Sequence, residues 1–185
     1  MRQKKLPNVL NEEEQEKLLN KPSPRYITGQ RNHLLLKLML DTGLRLSEAT
    51  GLRWKDINLI SGQLKVVEGK GGKDRVLWLW EENLELIKEW KKRQVKEAKK
   101  ALEYVFTSMS KGVLGNKLDN RYVQDMVPRY AEKAGIEKRV SPHTLRHTFA
   151  TDLYRETSNI RLVQKALGFD DLATTEIYPL KLTLA

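Results

Sequence analysis

The chain has 185 residues, enough to bury one well-formed core and crowded for two. Its 34 Lys+Arg against 24 Asp+Glu give a formal net charge of +10, which points to a polyanionic partner, nucleic acid before a membrane surface. The absence of cysteine excludes disulfides and thiolate metal sites and fits an intracellular protein.

The N-terminus, MRQKKLPNVLNEEEQ, has no apolar core of the kind a secretory signal needs, and its basic start (1–8) reads as a leader or linker remnant. Asn11 is a helix cap, with Glu12, Glu13 and Glu14 where the helix dipole favours acids and Leu18 and Leu19 on the apolar side. KPSPRYITGQ (21–30) reads as a loop. A mostly buried helix follows over 31–41, with Gly43 as its C′ residue. Its leucine-rich run at 34–40 is the strongest apolar stretch, too short to span a bilayer, so a soluble protein without a membrane partner is expected. Arg45 comes next, then Ser47 as the cap of a short helix over 48–52.

Two short strands, 64–67 and 76–79, flank EGKGGKDR (68–75), a glycine-rich turn carrying Lys70 and Lys73. An amphipathic helix runs from 81 to about 102. Its Lys88, Lys91, Lys92, Arg93, Lys96, Lys99 and Lys100 read as a solvated face. A short extended piece covers 104–107. Another helix covers 119–134, with a kink or interruption expected at Pro128. Ser141 caps the next helix and Pro142 suits its first position. A further helix spans 160–167 and breaks at Gly168. The fold class is therefore mainly α with a small β-hairpin or sheet, in a single domain.

The chemistry concentrates in 141–178. His143, Arg146 and His147 fall at i, i+3 and i+4 and share one helix face, while Leu145, Phe149 and Leu153 form the buried stripe. An imidazole one turn from a guanidinium places a proton-transfer group beside a bidentate phosphate clamp. The glycine-rich turn lacks Gly-Lys-Ser/Thr, so a nucleotide phosphate loop is excluded, and three histidines without cysteines make no transition-metal set.

Four blocks, TGLRLSE (42–48), GKGGKDR (69–75), HTLRH (143–147) and LGFDDLATTEIY (167–178), stand in the order found in the tyrosine recombinase (phage integrase, Xer-like) family, which the chain resembles over nearly its whole length. The resemblance implies the catalytic domain of a site-specific recombinase or integrase, spanning 1–185. Such enzymes cut and rejoin DNA through a 3′-phosphotyrosine. It implies Tyr178 as nucleophile, Arg45 and Arg146 as phosphate clamps, Lys70 as general acid, and His143 in proton transfer. Glu48 and His147 become supporting residues. It further implies double-stranded DNA as partner, a tetramer on DNA, no metal or nucleotide cofactor, and a cytoplasmic, nucleoid-associated location.

Two departures stand out. Phe169 occupies a position where the family has a hydrogen-bond donor to the phosphate, usually histidine, and it cannot donate. No N-terminal DNA-clamping domain is evident either. These keep open a catalytically impaired DNA-binding relative, beside a type IB topoisomerase-like relaxing activity.

Overall fold

The computed structural model describes residues 8–67 and 74–168, together with the backbone of 176–177. Helix α1 (Glu12–Leu19) begins at Asn11, whose side chain accepts the N–H of Glu14 while the Glu14 carboxylate accepts the N–H of Asn11. This reciprocal pair satisfies two donors that a helix start otherwise leaves bare.

Helix α2 (Ile27–Thr42) runs through the centre and packs on α4 and α6, described below. Leu34, Leu35, Leu36, Leu38 and Met39 are all buried, as expected of a helix that is apolar on every side. Truncating one of them to alanine would cost about 2–5 kcal/mol. The helix starts earlier than 31, taking in residues that read as loop. Gly29 permits this: a Cβ there would lie 1.9 Å from the carbonyl oxygen of Ser23, so the loop folds tightly against the helix. At the other end Gly43 has φ +63°, and a Cβ there would lie 2.3 Å from the Phe149 ring. Both the left-handed turn and the close approach of α6 demand glycine.

Ser47 is not the cap of helix α3 (Leu46–Gly51). Arg45 holds the N-cap position, and Glu48 reaches back to accept its N–H at 2.7 Å. Strands β1 (Gln63–Val66) and β2 (Arg75–Trp78) are antiparallel, Val66 opposite Arg75, and β3 (Glu176–Ile177) joins β2 in parallel, giving the order β1-β2-β3. β2 begins one residue before the expected 76–79 strand, which brings Arg75 into the ladder. Its alternation buries Arg75 and Leu77 and leaves Val76 and Trp78 half-buried.

Helix α4 (Glu81–Ala98) stops short of 102 because Lys99 turns left-handed at φ 55°. The piece at 104–107 is extended as expected, bridging Arg53 and Lys117. Trp90 Nε1 donates to the Val105 carbonyl at 2.7 Å, and Gln94 Nε2 donates to the same carbonyl and to Thr107 Oγ1. Arg93 departs from the solvated-face reading. Its guanidinium donates to the carbonyls of Pro24 and Arg25 and to Gln30, tying α4 to the loop before α2.

Helix α5 (Asn120–Lys133), capped by Asp119, continues through Pro128 without interruption. Gln124 and Pro128 are both exposed, so the carbonyl that loses its helical donor lies on the side open to water. Helix α6 (Pro142–Thr157) has Ser141 as cap and Pro142 at its first position, and α7 (Ile160–Leu167) ends at Gly168 with φ 74°. Leu145 is fully buried, and Phe149 and Leu153 pack at the edge of the core. The chain is thus mainly helical with one small sheet.

Candidate active site

An open groove of about 780 Å³ lies between α5, the start of α6 and the turn joining α2 to α3. Arg45, Arg121, Arg139, His143 and Arg146 all line it, with Asp125 as an acidic member. Arg121 pairs with Asp125 across one exposed helical turn at 3.2 Å, an interaction of little energetic weight.

Arg146 is buried, with 7% of its surface exposed, and is clasped from two sides. Its guanidinium donates to the Gly43 carbonyl at 2.5 Å and to the Leu167 carbonyl at 2.7 Å. These are carbonyls at the C-terminal ends of α2 and α7, where helices leave acceptors unsatisfied and carry partial negative charge. Neither bond cancels the arginine's charge. The clasp fixes a cationic fork at the groove wall and ties three helices together.

Arg45 is held by a different device. Glu48 Oε1 accepts from Arg45 Nη1 at 2.9 Å and from Arg75 Nη1 at 3.0 Å, while Oε2 accepts from the Arg45 backbone N–H and from Arg75 Nη2 at 2.8 Å. Burial by itself would raise the pKa of Glu48, but the bonds and charge of Arg75 and the bonds from Arg45 outweigh it and hold the group at about 2. The carboxylate is therefore ionised throughout the working range.

His143 and His147 touch, Nε2 to Nε2, at 2.7 Å, with their rings edge to face. One nitrogen must donate and the other accept, so the contact holds a single proton between the two rings. The pKa of His147 is lowered by burial, then by the neighbouring charges of His143 and Arg146. An exposed imidazole at the groove, backed by a second one kept neutral, is suited to passing a proton.

The arrangement offers two fixed guanidinium groups and a proton carrier on one groove wall, the equipment for holding a phosphodiester as charge builds on its oxygens. Of the residues singled out in the sequence, Arg45, Glu48, His143, Arg146 and His147 are brought together here. Lys70, Phe169 and Tyr178 lie outside the described residues. Sequence reasoning missed Arg75, Arg121 and Arg139. The signal for Arg75 was the period-2 pattern of its strand, which puts it on the inward side with Leu77, where an arginine must find a carboxylate. Among the described residues no group of three or more His, Cys, Asp or Glu could hold a metal ion, and no helix is long and apolar enough to cross a membrane.

Comparison with known proteins adds an independent line. The model of the phage integrase family matches residues 8–182. The tyrosine recombinase XerC of Thermodesulfovibrio yellowstonii is 36% identical over 174 residues, 94% of this chain and 58% of the relative. XerD of Staphylococcus aureus is 37% identical over 177 residues, 95% of this chain and 58% of the relative. Among solved structures, the XerH site-specific recombinase in a post-cleavage complex with its palindromic difH substrate superposes with a TM-score of 0.73 at 36% identity, covering 89% of this chain and 47% of that one. The chain thus spans a little over half the length of the curated relatives it matches.

Proposed function

Because the chain belongs to the phage integrase family, we propose that it is the catalytic domain of a site-specific DNA recombinase that cuts and rejoins strands through a 3′-phosphotyrosine ester. The observation that carries this reading is the pairing of Arg45 and Arg146 on one groove wall, each fixed by its own hydrogen bonds. A planar guanidinium matches two oxygens of a phosphodiester at once, which a lysine cannot do. The XerH structure, captured on DNA after cleavage, is the relative whose state most resembles the one proposed.

In the proposed reaction the Tyr178 phenol oxygen attacks the phosphorus and forms a new P–O bond while the bond to the 5′ oxygen breaks. Lys70 protonates the leaving 5′ oxygen, and the phenol proton passes towards His143, with His147 behind it. Arg45 and Arg146 meet the charge that gathers on the nonbridging oxygens, and Glu48 orients Arg45. The ester conserves the energy of the broken bond, so resealing by the reverse step requires neither metal nor nucleotide. Exchange between two duplexes involves four strands, and a tetramer on double-stranded DNA, one chain per strand, is the assembly that fits.

The test is covalent capture. A pool of nicked duplexes with randomised cores, incubated with the chain, should yield a protein–DNA band that survives denaturing electrophoresis and the presence of excess chelator. Tyr178→Phe should abolish the band while leaving folding and DNA affinity near normal. An undiminished band from that variant would remove Tyr178 as nucleophile.

A further inference from the structure

The groove arginine nearest the sheet presents an electrostatic problem. Glu48 is buried, with 7% of its side chain exposed, and it binds Arg45 through both backbone and side chain. A carboxylate in that position would by itself consume the positive charge that Arg45 has to offer a phosphate. Two guanidinium groups, however, share this one carboxylate, so the cluster keeps a net single positive charge. Exposure rises along it, from 5% for the Arg75 side chain to 36% for that of Arg45. Solvent and groove therefore see the surplus charge on Arg45.

The geometry makes Arg75 the stronger partner. It meets Glu48 with two roughly parallel bonds, one to each oxygen at 3.0 and 2.8 Å, whereas the Arg45 side chain contributes a bond to Oε1 at 2.9 Å. Arg75 is seated by the ladder of β2 opposite Val66, on the inward side of the strand. Buried as it is, it does not itself line the groove. We propose that Arg75 is a positioning residue of the phosphate clamp: it takes up the charge of Glu48, so that Glu48 can hold Arg45 in place without neutralising it. This rests on the reading that Arg45 meets a DNA phosphate. It also means that the support of the clamp comes from the sheet, whose strands flank the glycine-rich turn carrying Lys70.

Two measurements test the proposal. The first is made on the protein alone, by carbon NMR titration of the Glu48 carboxyl. Its pKa of about 2 should rise clearly towards the ordinary carboxylate value in Arg75→Met. An unmoved value would overturn the proposal whether or not the chain acts on DNA. The second uses the nicked duplexes that the parent captures. Arg75→Met should slow single-turnover adduct formation by ~10²-fold, the size of one lost transition-state donor, with affinity for the same duplex within a few-fold. Adding Glu48→Gln to that variant should recover at least about tenfold, because a neutral side chain no longer draws the charge of Arg45. A double variant slower than Arg75→Met alone, or equal losses of rate and affinity, would overturn it. Should Arg75→Met lose its cooperative thermal transition, Arg75→Lys replaces it in both measurements, with a fall of about tenfold expected from the lost fork. Full activity in Arg75→Lys would overturn the proposal as well. A parent that forms no adduct, with the carboxyl shift present, would count against the recombinase reading and leave the Arg75–Glu48–Arg45 support standing.

Discussion

Arg45 and Arg146 face the same groove, yet the protein builds them in opposite ways. Arg146 is buried and clasped by two helix-end carbonyls, neutral dipoles that fix it without cancelling its charge. Arg45 is more exposed and anchored to a carboxylate that a second arginine must balance. The first design makes the clamp part of the core. The second hangs it on an ionic network that changes with pH and salt. The two arginines should therefore separate when each is disturbed in the same manner.

The largest expected effect is on stability and rate together at Arg146. Arg146→Lys keeps the charge but cannot span both carbonyls, and hydrogen bonds to charged groups contribute about 1.5–3 kcal/mol each. We expect a loss of about 3 kcal/mol in urea unfolding, and adduct formation slowed ~10²–10³-fold. Arg45→Lys should slow the chemistry to a similar degree while costing about 1 kcal/mol or less, as befits a partly exposed pair. Equal destabilisation by the two substitutions would break the distinction.

A smaller effect should appear in acid. The native pKa of Glu48 is lowered from 4.5 to about 2, so its contribution is fully present above pH 4.5 and is lost as the pH falls towards 2. A shift of this size corresponds to about 3 kcal/mol. Glu48→Gln resembles the protonated side chain. The stability gap between parent and Glu48→Gln should therefore be near that value at neutral pH and close towards pH 2. A gap that stays constant across this range would mean that the carboxylate's charge is not what holds the network. Arg146, bound to carbonyls, should show no such closing gap with its lysine variant.

The two designs also differ in how far a sequence can disclose them. Caps are local: Asn11, Gly43, Ser141 with Pro142, and Gly168 mark helix ends because the groups they satisfy lie within one turn. The face shared by His143, Arg146 and His147 is local too. Errors fell where a distant contact decided the outcome. Ile27–Gln30 join α2 because Ser23 folds against Gly29, and Arg45 displaces Ser47 as the cap because Glu48 turns back to it. The Arg75–Glu48 pair, 27 residues apart, depends on a strand register that no short-range pattern records. The clasp of Arg146 on Leu167 likewise needs α7 folded back onto α6.

The smallest effect concerns a neighbour that feels one arginine and not the other. The pKa of His147 is lowered by burial first and then by the charges of His143 and Arg146, with Arg45 absent from those causes. Removing the charge of Arg146 should therefore let the His147 pKa rise, while removing that of Arg45 should leave it in place. Proton NMR titration of the imidazole in Arg146→Gln and Arg45→Gln makes the comparison directly. The sign also has a consequence for folding. A histidine whose native pKa lies below its unfolded value binds fewer protons when folded, so stability gained from its neutral state is lost as the pH drops through that window. Arg146→Gln should narrow this window even as it weakens the core. If both variants moved His147 equally, the groove would be acting as one diffuse positive field. The distinction drawn between a buried clasp and an ionic anchor would then lose its electrostatic content.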